Sequence, residues 1–109
     1  MTTPQNLLVG DAVLYPRERA VGLVYEVYER SPGERPGVQV LLSDGRDLSG
    51  FSAEEADQFL QPLGHTGLAY EFTHVGQLHA DYHRGRFTAA FATARLLAGF
   101  RDTRYLSAS

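Results

Sequence analysis

The hydrophobic period changes partway along the chain, and that change restricts the fold more than any other feature. Residues 10–51 alternate apolar and polar positions in short runs broken by Gly, Pro, Asp and Ser, as half-buried strands do. Residues 52–60 and about 74–100 place their apolar residues at helical spacing, as helices packed by one face do. Strands followed by helices predict an α+β fold: a small bent antiparallel sheet or small barrel, then C-terminal helices. At 109 residues the chain is expected to be one domain. It divides into a β-rich part over residues 8–64 and a mainly helical part over 65–109.

The strand boundaries come from the turn residues. Gly10-Asp11 leads into Ala12–Tyr15, which Pro16 stops. In Val21–Arg30 the odd positions Val21, Leu23, Tyr25 and Val27 are apolar and the even positions mixed, which predicts one buried face. A loop with two Pro-Gly breaks precedes Val38–Leu42. Ser43-Asp44-Gly45-Arg46 reads as a hairpin turn returning into Asp47–Phe51.

Ser52 and Glu55 have the capping-box spacing, predicting a helix over 53–60 that Pro62 ends. Leu68–Phe72 is expected to be a closing strand, and Thr73 to cap the C-terminal helix. In that helix Val75, Leu78 and Tyr82 share one face, while Phe87, Phe91, Ala94 and Ala98 share another. The five-residue step from Tyr82 to Phe87 rotates the stripe by about 140°, and Gly85 lies in the gap. Either two helices turn at Gly85, as a helical hairpin would, or one helix changes the face it buries. The expected core is Val13, Val21, Leu23, Val27, Val38, Val40, Leu42, Leu48, Phe59, Leu63, Leu78, Tyr82, Phe87 and Phe91.

With Gly-Asp before Val-Leu-Tyr, then Val-Gly-Leu-Val-Tyr-Glu-Val, Val-Gln-Val-Leu-Leu, Ser-Asp-Gly and Leu-Ser-Gly-Phe, residues 10–60 resemble an SH3-like small barrel. Tudor, KOW and CarD-type domains share this rhythm. The resemblance implies a binding module and no particular ligand. Residues 78–94 are faintly similar to the middle of a tetratricopeptide unit, which supports a helical hairpin.

Composition removes several chemistries. The chain has no cysteine, so disulfides, thiol catalysis and cysteine-ligated metals are excluded. Its start, Met-Thr-Thr-Pro-Gln-Asn, has no basic residues or long apolar run, so no secretory leader is expected. No stretch reaches the roughly 18 apolar residues of a membrane span, and the expected compartment is the cytoplasm. Net charge is −3, which argues mildly against nucleic acid. The halves differ: residues 1–64 carry −5 and residues 65–109 carry +2. All ten basic residues are arginine, which GC-rich codon usage would produce and which selection for planar, bidentate contacts would also produce.

The candidate site residues follow. His79 and His83 stand i, i+4 on one helical face, a spacing that can chelate a divalent metal. The residue after His79 is Ala80, so the general-base glutamate of a zinc protease is missing. Asp44/Asp47 and Glu54/Glu55 read as turn and helix-start residues. An aromatic cage for a methylated cation would draw on Tyr15, Tyr25, Tyr28 and Phe51. Arg84, Arg86 and Arg95 read as a basic helical face for a partner, with Tyr28 as a second contact. The expectation is a small non-enzymatic protein-interaction module or adaptor with no cofactor. A nucleic-acid-associated regulator and a metal-binding protein or enzyme using His79 and His83 are the alternatives. The basic, apolar helical face is also compatible with a homodimer.

Overall fold

A computed structural model of the chain describes residues 7–28 and 32–101. The strands are β1 (Asp11–Tyr15), β2 (Ala20–Tyr28), β3 (Gly37–Leu42), β4 (Asp47–Phe51) and β5 (Gln61–His65). Helix α1 (Ala53–Phe59) lies between β4 and β5, and α2 (Val75–His83) and α3 (Thr88–Arg101) follow. The fold is α+β. All pairings are antiparallel, in the order β4-β3-β2-β1-β5. The sheet is open, with β4 and β5 as its edges, so the barrel form of the expectation gives way to the bent-sheet form. Register shifts at Ala12/Val13, Val24/Glu26 and Val38/Val40 supply the bend, because an extra residue in one strand raises the local twist.

Both faces of the sheet are buried. Ala12, Leu14, Val21, Leu23, Tyr25 and Leu41 pack under Leu78 of α2 and Phe87, Phe91, Ala94 and Ala98 of α3. Val13, Val24, Val38, Val40 and Leu42 pack on the opposite side with Leu7, Ala56 and Leu60. A strand covered on both sides gains apolar burial at every position. That is why Val24 and Tyr25, adjacent in β2, are both fully buried. The irregularity at Tyr25 also moves Val27 off the odd face. Val27 joins the α1 side with Val24, while Tyr25 stays under the C-terminal helices. Of the expected core, Val27, Leu48, Phe59 and Tyr82 are half-buried.

The predicted capping box forms: Ser52 Oγ accepts from the Glu55 amide and the Glu55 carboxylate accepts from the Ser52 amide. The helix stops at Leu60, whose extended backbone leads directly into β5. The closing strand is therefore Gln61–His65, not Leu68–Phe72. Pro62 pairs with Val13 and His65 with Asp11, and the edge position suits proline, which has no amide to donate. Residues 68–72 keep a strand's alternation, with Leu68, Tyr70 and Phe72 packed against the helix-side core, but they have no ladder partner. Glu29–Ser31, the end of the expected long strand and the start of its loop, lie outside the described residues.

The C-terminal part is two helices. They turn at Gly85, which has φ +83°, a conformation glycine adopts without a Cβ penalty. Tyr82 and Phe91 meet edge to face across the turn at 6.3 Å, and α3 then runs over β1, β2 and β5. The cap of α2 is His74, one residue later than expected. No helix among the described residues is long and apolar enough to cross a membrane.

Candidate functional site

The β3–β4 turn and α2 face each other across a cleft of about 430 Å³ lined by Asp44, Arg46, Asp47, His79, Tyr82 and His83. Local chemistry shapes the turn. The Gly45 amide donates to the Leu42 carbonyl at 2.9 Å, and Asp44 accepts from the Arg46 amide at 3.0 Å and from its Nε at 2.7 Å. Partial burial would raise the Asp44 carboxyl, but these Arg46 bonds outweigh it and hold the group below its ordinary value. Arg46 reaches on to Glu18 in the β1–β2 turn. Tyr82 closes the cleft floor by donating to the Ser43 carbonyl at 2.7 Å.

His79 and His83 both line this cleft. His79 Nε2 stands 3.7 Å from Asp47 Oδ1, and His83 packs edge-on against Tyr82 with ring centroids 5.6 Å apart. Among the described residues, no three His, Asp or Glu side chains form a group that could hold a metal ion.

The three arginines differ. Arg84 donates to Asp81 Oδ1 at 2.8 Å. Arg86 bonds the Ala69 carbonyl and lies over the Tyr70 ring, 5.8 Å from its centroid. Both are therefore fastened to a knot centred on Asp81. Its other donors are the Tyr70 hydroxyl at 2.7 Å and Gln77 Nε2 at 2.8 Å. The Tyr70 bond is the main reason the Asp81 carboxyl sits below its ordinary value, with Gln77 and Arg84 adding to it. Arg95 is exposed on α3. Gln77 and Asp81 have the i, i+4 spacing of a helical side-chain pair, but nothing in the sequence advertises Tyr70, which joins them from a loop.

Tyr28 is committed inside the sheet. Its hydroxyl donates to the Phe51 carbonyl at 2.9 Å, and its ring crosses Gly37, where a Cβ would stand 2.3 Å from it. The aromatic set does not form one cage. Tyr15 and Phe51 meet edge to face at 6.4 Å on the α1 side. Tyr25 is buried on the other side, against Phe72 at 5.0 Å, with its hydroxyl on Gln39 Oε1 at 2.7 Å.

No protein-family model matches the chain, and neither a curated protein nor a solved structure matches it.

Proposed function

We propose that this protein is a small non-enzymatic protein-interaction module that docks through the outer side of α3. One observation carries the reading. Leu96 is 54% exposed, next to exposed Arg95, one turn beyond exposed Ala92 and two beyond exposed Ala89, while Phe87, Phe91, Ala94 and Ala98 of the same segment are buried. Solvated helix faces are usually polar. This one offers an apolar strip with a cation and no acidic residue, which suits a partner with an apolar contact flanked by carboxylates. Arg86, exposed at the turn before α3, adds positive charge beside it, whereas Arg84 is paired with Asp81. The cytoplasm is the expected compartment.

The test is capture from the native host's lysate, with and without nuclease, using wild type and an Arg95→Glu/Leu96→Asp variant of unchanged thermal stability. A protein that survives nuclease and is lost with the variant supports the reading. Partners that vanish with nuclease support the nucleic-acid alternative, and a variant that keeps every partner overturns the α3 surface. Light scattering on both proteins shows whether the partner is a second copy.

A further inference from the structure

His74 starts α2 in an unusual way. Its backbone is extended (φ −160°, ψ 164°), and its Nδ1 accepts the Gln77 amide at 3.2 Å. This is the task that Ser, Thr, Asp or Asn side chains normally perform with oxygen. The second residue of the helix is Gly76, where a Cβ would stand 3.3 Å from His74 Nδ1, so the absent side chain leaves room for the ring. An imidazole nitrogen accepts a hydrogen bond only while it carries no proton.

We propose that His74 is a proton-sensitive latch on α2: neutral, it caps the first turn, and protonated, it releases it. A proton on Nδ1 sets an N–H against the Gln77 N–H. It also places a positive charge at the positive end of the helix. The first turn of α2 has no acidic residue to offset that charge. The ring is exposed, and among the described residues no carboxylate of the sheet, α1 or α3 lies within ion-pair distance of it. Along its own segment the titratable groups are Tyr70 and Glu71 before it and His79, Asp81, Tyr82 and His83 beyond it, and Asp81 is already occupied by Tyr70, Gln77 and Arg84.

The other three histidines oppose this response. A proton on His65 or His79 turns a contact with Asp11 or Asp47 into an ion pair. A proton on His83 sits in the last turn of α2, where positive charge is favoured. Global stability therefore mixes opposite effects, and the latch must be read locally. The amide that senses it is that of Gln77, whose side chain leads to Asp81, next to fully buried Leu78.

The experiment is amide hydrogen exchange of Gln77, as a protection factor, from about pH 8 to about pH 5. Wild-type protection is expected to fall roughly three- to ten-fold on acidification, the size of a lost cap. His74→Asn, which caps without titrating, is expected to stay protected throughout, and His74→Ala to be unprotected throughout. A flat wild-type profile overturns the latch. So does an acid response retained in His74→Asn, or full protection in His74→Ala at the alkaline end.

Discussion

Tyr70 donates its hydroxyl to Asp81 Oδ2 at 2.7 Å, and this bond fastens a stretch of chain with no strand partner to α2. The shifts of the two groups follow from it and from burial. Burial first, and then the Asp81 bond, push the Tyr70 phenol up to about 12, and the same bond is the leading reason the Asp81 carboxyl is held down. For Asp81 the depressed folded value means that its stabilisation is complete above the ordinary carboxyl value near about pH 4 and is lost as pH falls through the folded value. For Tyr70 the raised folded value means that its stabilisation is complete below about pH 10 and is lost as pH rises towards about 12. Tyr70→Phe is expected to lower stability by about 1 kcal/mol at neutral pH and to flatten the alkaline limb. Asp81→Asn should flatten the acid limb. Urea unfolding at a series of pH values checks both, and an alkaline limb unchanged in Tyr70→Phe refutes the assignment.

Gly45 and Tyr82 are coupled across the cleft. Gly45 has φ +96°, and a Cβ there would stand 3.0 Å from Tyr82 Cε1. Gly45→Ala should therefore cost about 1–3 kcal/mol from backbone strain together with the displaced ring. In a Tyr82→Ala background the ring is gone and only the backbone part remains, so the same substitution should cost less. A double-mutant cycle from denaturant midpoints measures the difference; costs that simply add would show that the ring and the turn are independent.

Local signals were legible in the sequence and tertiary ones were not. The Ser52/Glu55 box and the turn at Gly85 could be read because the residues that decide them are neighbours in the chain. The second buried face of β2, where Val24 packs with Ala56 and Leu60, depends on α1, which follows two further strands, although the apolar run Leu23-Val24-Tyr25 carried a trace of it. The segment 68–72 shows the same limit, since alternation reports burial while a strand also needs an edge to pair with. That edge was taken by residues 61–65, which Pro62 and Gly64 made a poor strand by composition. Nor does the count of arginines say which of them fold the protein: Arg84 and Asp81 have helical i, i+3 spacing, but the bond from Arg86 to the Ala69 carbonyl joins residues far apart in the chain and is invisible in the sequence.

Burial decides the fate of Tyr25, which chain position alone would have offered as a cage residue. Its ring is fully buried and burial leads the upward push on its phenol, with Asp47 and Glu26 adding to it. Tyr25→Phe should cost about 1–2 kcal/mol, because Gln39 Oε1 loses its donor in a partly buried site. Tyr25→Ala should cost about 3–5 kcal/mol through the cavity it opens under α3. A methyl-lysine peptide is expected to leave the Tyr25 ring resonances unmoved in an NMR titration, and a shift confined to that ring would restore the cage.

Arg19 is the one non-glycine residue with positive φ among those described, at 53°. It ends the four-residue turn between β1 and β2, where Tyr15 pairs with Ala20 and the Glu18 and Arg19 amides bond the Tyr15 and Pro16 carbonyls at 3.2 Å. The hairpin geometry demands a left-handed residue at this position, and an arginine there bears a Cβ clash that glycine lacks. Arg19→Gly removes that strain but frees the unfolded chain, and the strain is the larger of the two. The variant is expected to gain about 0.5–1 kcal/mol, read as a higher urea midpoint at an unchanged slope. Because Arg19 lies in the β1–β2 turn and neither Arg95 nor Leu96 is there, the gain should leave capture through Arg95 and Leu96 intact. A variant less stable than wild type would mean that the Arg19 side chain makes a contribution larger than its backbone strain.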